Sequence, residues 1–137
     1  MYWEFTADRP IYTQLIEVIQ KRIISGAYPP GSSMPSVRVL ALEASVNPNT
    51  MQRALAELET SGLLSTQRTS GRTVTTDERL IMQVKERIAS EYIEQFFKGM
   101  LSLGIEREAA TDMLVTKTRG TGPLQTNANI TTPEEVS

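Results

Sequence analysis

Proline and glycine cut the first half of this chain into short helices, and that punctuation limits the fold more than any other feature. Pro10 suits a first helical position. After it Ile11, Leu15, Val18, Ile19 and Ile23 recur at three- and four-residue spacing, which predicts an amphipathic helix stopping at Ser25-Gly26. Tyr28-Pro29-Pro30-Gly31 cannot continue it, because both prolines lack the amide hydrogen. Pro35-Ser36 opens a second short helix, with Ser36 as N-cap and Val37, Leu40 and Ala41 on its buried side. Only Ser45-Val46-Asn47 separates it from a third helix, in which Asn47 caps, Pro48 takes the first position and Gly62 marks the end.

The third helix divides cleanly. At about 100° per residue, Met51, Ala54, Leu55 and Leu58 fall on one side and Asn49, Gln52, Arg53 and Ala56 on the other. Hydrogen-bonding groups dominate the first two turns of the polar face, and the acids Glu57 and Glu59 come later. Such a helix suits entry into DNA by its N-terminal end. Leu63 to Arg68 and Arg72 to Thr76 are short runs separated by Thr69-Ser70-Gly71, where glycine supplies a positive φ, and they read as a hairpin. Two helices joined by a short turn, a covering helix before them and a hairpin after them predict a winged helix-turn-helix. The fold class is mainly α with a small β wing.

From Asp77 a second helical pattern runs to about Leu103. Ile81, Val84, Ile88, Tyr92, Phe96 and Met100 form one apolar stripe, and Ala89, Ile93, Phe97 and Leu101 form its neighbour. Gly104 breaks the pattern, and a shorter helix with Ala109, Ala110, Met113 and Leu114 follows. One short helix cannot cover so wide an apolar face, so the first stripe is assigned to a homodimer interface. From Lys117 onward large apolar residues are few, which predicts a disordered tail. The expected organisation is a DNA-binding domain over 1–76, a two-helix dimerisation unit over 77–116 and the tail over 117–137.

Composition narrows the chemistry. The chain lacks cysteine and histidine, so thiolate chemistry, zinc sites and imidazole catalysis have no residues to work with. No metal, cofactor or catalytic residue is assigned, and an enzyme using carboxylates would need paired acids in a cleft that the sequence does not show. The opening MYWEFTADRP has no basic segment followed by an apolar run, and no stretch reaches the about 18 apolar residues of a membrane span, so the expectation is a cytoplasmic protein without membrane partners. Net charge is −2, yet residues 1–76 hold seven Lys/Arg against six Asp/Glu, a net of +1, and residues 77–137 seven against ten, a net of −3. DNA binding needs local positive charge rather than a basic whole.

The blocks PIYTQL at 10–15, GAYPPGSSMPSVRVLA at 26–41, VNPNTMQRALAELETSGLL at 46–64 and GRTV at 71–74 occur in order, and with them the chain resembles the GntR family of bacterial regulators, in particular its short YtrA-like branch. The resemblance covers residues 10 to about 115. It implies a winged helix on a two-helix dimerisation unit, usually repressing transcription, often of transporter operons. It also implies that Ser36 and Arg38 approach DNA, together with Asn49, Thr50 and Arg53 of the recognition helix and Gly71 of the wing. Two departures bear on the operator: Pro48 and Gln52 stand where many relatives carry arginine. Gln pairs bidentately with adenine and Arg with guanine, so the second departure shifts base preference at one position by about 1–3 kcal/mol.

With Asn47, Gln52, Ser70 and Arg72 added, the candidate DNA-contacting set is Ser36, Arg38, Asn47, Asn49, Thr50, Gln52, Arg53, Ser70, Gly71 and Arg72. Within it Asn47 and Pro48 are read first as fixing the helix start. Arg38 is open between a phosphate contact and a surface pair with Glu43. Tyr2, Trp3 and Phe5 are read as tying the terminus to the core rather than as an aromatic cage. The expected partners are double-stranded operator DNA and a second copy of the chain, with a small-molecule effector at the dimer interface left open. The alternative is a winged helix that binds protein rather than specific DNA.

Overall fold

The short connection between the second and third helices closes through backbone geometry that spacing alone does not reveal. In the computed structural model, which describes residues 3–69 and 71–119, helix α1 spans Ile11–Ile24, α2 Val37–Ala44 and α3 Pro48–Thr60. The Ser36 hydroxyl accepts from the Val39 amide at 3.1 Å, and the Asn47 side chain accepts from the Asn49 amide at 2.7 Å, so both expected N-caps are made. Helix α2 ends as a Schellman turn: the Val46 amide donates to the Ala41 carbonyl at 3.0 Å and the Ser45 amide to the Leu42 carbonyl at 3.2 Å. Ser45 thereby takes a left-handed conformation, φ 57°, which serine adopts only at a cost. Ser45→Gly is therefore expected to raise stability by roughly 0.5–1 kcal/mol in urea melts, the left-handed penalty less glycine's extra entropy. A destabilised variant would show that the serine side chain matters more than the backbone.

The core of the N-terminal unit follows the apolar stripes. Leu15, Ile19 and Ile23 of α1, Leu40, Ala41 and Ala44 of α2 and Met51, Ala54, Leu55 and Leu58 of α3 are all buried. Strands β1 (Leu64–Gln67) and β2 (Gly71–Val74) form an antiparallel hairpin with Leu64 opposite Val74, Ser65 opposite Thr73, Thr66 opposite Arg72 and Gln67 opposite Gly71. Leu63, Leu64 and Val74 close the core from below the hairpin, and Ser33 adds an isolated bridge to Thr73. Trp3 and Phe5 pack against this core, as read from the sequence; Tyr2 lies outside the described residues.

Two polar side chains are buried where the sequence suggested only apolar ones. Gln14, 4% exposed, accepts from the Thr6 amide at 2.8 Å and donates to the Thr6 and Arg9 carbonyls at 2.9 Å each, fastening the N-terminal segment to α1. Arg22, 5% exposed, donates to the Tyr28 hydroxyl at 2.8 Å and lies 4.1 Å over the Trp3 ring, so an aromatic face replaces the carboxylate expected beside a buried cation.

Helix α4 (Glu78–Leu101) starts from the Asp77 carboxylate, which accepts from the Arg79 and Leu80 amides at 3.1 and 3.2 Å. Its first turns belong to the N-terminal unit, because Leu80, Ile81 and Val84 pack on that unit's core. The structure therefore changes unit after Arg87, within α4, rather than at residue 77. Ile81 and Val84, assigned from the sequence to a dimer face, already have a partner inside the monomer. A 3.6-residue stripe shows that a face is apolar without showing what covers it.

From Ile88 the second unit holds the rest of α4 and helix α5 (Arg107–Thr118), joined through Gly104. Phe96 and Phe97 meet edge to face at 5.3 Å between ring centroids, and Ala110 is buried. Arg107 lies 4.2 Å over the Phe97 ring and grips Glu94 with both terminal nitrogens, at 3.0 and 3.3 Å. That hydrogen bonding first, and the positive charge second, hold the Glu94 carboxyl below its ordinary value. The pair's contribution is thus present above the ordinary carboxylate range and fades as pH falls through the lowered folded value. Lys117 and Thr118 end α5 and Arg119 caps it, so these three are helix and cap rather than tail; the rest of the expected tail lies outside the described residues. Among the described residues, no helix is long and apolar enough to cross a membrane.

Candidate nucleic-acid interface

Helix α3 presents the face that its pattern predicted. Met51 and Ala54 are fully buried, whereas Asn49, Gln52, Arg53 and Ala56 are all exposed and Thr50 is half-buried. Among the described residues the Asn49 and Gln52 side chains have no hydrogen-bond partner, so their amides are uncommitted within the protein. Asn47 is exposed at the helix start with its side-chain oxygen spent on the cap.

The two arginines differ. Arg38, exposed on the first turn of α2, has no ion pair or hydrogen bond among the described residues, and the surface pair with Glu43 is not formed. Ser36, at the N-cap just before it, is exposed with its hydroxyl turned to the Val39 amide. Arg53 has its guanidinium 3.7 Å from the centroid of the Tyr12 ring, so a side chain from α1 supports it on the outer face of α3. The sequence does not signal this contact, because it joins two helices far apart along the chain.

In the hairpin, Gly71 has φ 73° and open space where a side chain would start, so backbone conformation rather than crowding calls for glycine. Arg72 is only 15% exposed and donates from Nε to the Glu59 carboxylate at 3.1 Å. Ser70 lies outside the described residues. No group of three or more metal-binding side chains occurs among the described residues.

A helix-turn-helix with a two-stranded wing is shared by many DNA-binding proteins, and likeness to known proteins narrows it. The profile of "Bacterial regulatory proteins, gntR family" matches residues 11–74, the span from α1 through β2. The transcriptional regulator YhcF of Bacillus subtilis is 33% identical over 117 residues, which are 85% of this chain and 97% of that protein. The chain belongs to the GntR family of bacterial transcriptional regulators. Another relative, the repressor YtrA of Bacillus subtilis, is 32% identical over 103 residues, covering 74% of this chain and 79% of its own length. A GntR regulator from Listeria monocytogenes has a similar solved structure, with a TM-score of 0.74 and 39% identity over 81% of this chain and 97% of that one.

On this GntR winged helix the polar face of α3 and Arg38 at the start of α2 are exposed, and with the hairpin they form the candidate surface for a nucleic acid. Glu59, Tyr12, Gln14 and Arg22 are among the polar and aromatic residues whose structural roles the sequence did not reveal. Arg22 was open to inference, since it falls on the α1 stripe between Ile19 and Ile23. Glu59 gave no local signal, because its partners lie seven and thirteen residues away on the hairpin.

Proposed function

We propose that the chain represses transcription by binding an inverted-repeat operator as a homodimer. In this reading α3 enters the major groove by its N-terminal end, with Asn49, Gln52 and Arg53 facing base edges, and Ser36, Arg38, Asn47 and Thr50 lie along the phosphates. Gly71 lets the wing backbone approach the duplex. The observation that carries the reading is the outer face of α3, where two amides are exposed without partners among the described residues, beside an arginine on an aromatic support. The relative YtrA is a repressor, which favours this sign of regulation.

Dimerisation is supported by the second unit, where Ile93, Leu101, Leu103, Met113, Leu114 and Val115 are exposed large apolar residues. Ile88, Phe96 and Met100 of the expected stripe are half-buried within the unit, and Tyr92 is exposed. An effector at that interface remains part of the proposal without a residue assigned to it.

Affinity for duplex DNA measured across a salt series tests the reading against a protein-binding role. Log affinity should fall linearly with log salt at a slope of about −0.9 per phosphate contacted. Salt-insensitive or undetectable association with any duplex would favour the winged helix as a protein-interaction module.

A further inference from the structure

Only the base of the β1–β2 hairpin is anchored in the core. Leu64 and Val74 are buried, but every residue beyond that pair, from Ser65 to Gln67 and from Gly71 to Thr73, is polar or glycine. A two-stranded hairpin without an apolar face is at best marginally ordered. The outer half is met by one side chain of α3. Glu59 Oε2 accepts from the Thr66 hydroxyl and, at 3.1 Å, from Arg72 Nε. Thr66 and Arg72 are direct cross-strand partners, so a single carboxylate oxygen holds both strands at the same level. Among the described residues these are the only side-chain hydrogen bonds between α3 and the hairpin. On the opposite edge the Met34 amide donates to the Arg72 carbonyl at 2.8 Å, so Arg72 is held through both backbone and side chain.

We propose that Glu59 is a positioning residue for DNA binding: it sets the wing against the recognition helix, so that the hairpin tip and the outer face of α3 meet adjacent stretches of one duplex. Arg72 then serves operator binding through this clamp rather than as a free cation. The inference rests on the operator-binding reading above. Without the carboxylate β2 keeps its backbone bond to Met34 but the outer hairpin loses its side-chain tie to α3, and the expected loss is about two- to tenfold in affinity per half-site, the cost of immobilising one side chain on binding.

The test is hydroxyl-radical footprinting of the full chain on a duplex that the wild-type protein recovers from a random pool, with affinities and melting curves measured alongside. Wild type should protect the sugars at the bases α3 reads and a second patch flanking them. Glu59→Ala should lose the flanking patch and two- to tenfold in affinity per half-site while keeping the same base preference under α3. Glu59→Gln, which retains an acceptor oxygen, should recover the patch in part. Full flanking protection by Glu59→Ala at unchanged affinity would overturn the proposal, as would loss of the α3 base preference together with the flanks. A wild-type footprint confined to the α3 bases would also overturn it while leaving the operator-binding reading intact.

Discussion

Ile93→Glu is expected to turn the protein into a monomer and to lower its affinity for an inverted-repeat site by about 10²–10⁴-fold, because two linked half-sites bind with an avidity that neither has alone. Ile93 is 53% exposed on α4, so a carboxylate there has little to disturb within the monomer but would be desolvated in an interface. Leu101, 61% exposed and further along the same helix, offers an independent position with the same expectation. Phe96 is a poorer choice. It is half-buried and packs edge-on with Phe97, so a charge there disrupts the unit as well as any interface. Sedimentation at tens of micromolar should give the dimer mass for wild type and the monomer mass for the variant, with melting curves that remain cooperative. A wild-type monomer, or a variant that stays dimeric and binds normally, would remove the exposed face of α4 from the account.

The second large effect separates reading bases from holding phosphates. Arg53→Ala should cost about 1–3 kcal/mol per half-site and flatten preference at one base position, because a bidentate pairing with guanine disappears. The Tyr12 ring beneath the guanidinium supports this role, since a stacked arginine has fewer rotamers to surrender on binding. Arg38→Ala should weaken all sequences alike and reduce the magnitude of the salt slope by about one for each phosphate left unneutralised, hence by about two in a symmetric dimer. Arg38 has no partner within the described protein, so its removal should leave stability nearly unchanged. If Arg53→Ala left base preference intact while Arg38→Ala altered it, the two roles would have to be exchanged.

What the sequence made legible was what lies within one element. The split faces of α3, the caps at Ser36 and Asn47 and the positive φ of Gly71 follow from local rules acting over a few residues, and the structure has each of them. Contacts between elements were not legible. The Tyr12–Arg53 stack and the Glu59 clamp join residues that only tertiary packing brings together, and neither type of residue announces its partner. The apolar stripe of α4 was legible as a stripe, but its division between the first unit's core and an exposed face depends on where the hairpin delivers the helix. Ser45 shows the reverse failure. A left-handed turn residue is usually signalled by glycine, and here the hydrogen bonds of the Schellman turn hold a serine in that conformation.

Whether paired α3 helices read an operator is decided by the sequences that the chain recovers from a random duplex pool. Two inverted copies of one short motif should be enriched at a fixed separation, as two recognition helices held in successive major grooves require. Within each copy, one strongly preferred position should lose its preference in the Arg53→Ala protein. Recovery of a single unpaired motif, or of no motif above the starting pool, would contradict paired reading.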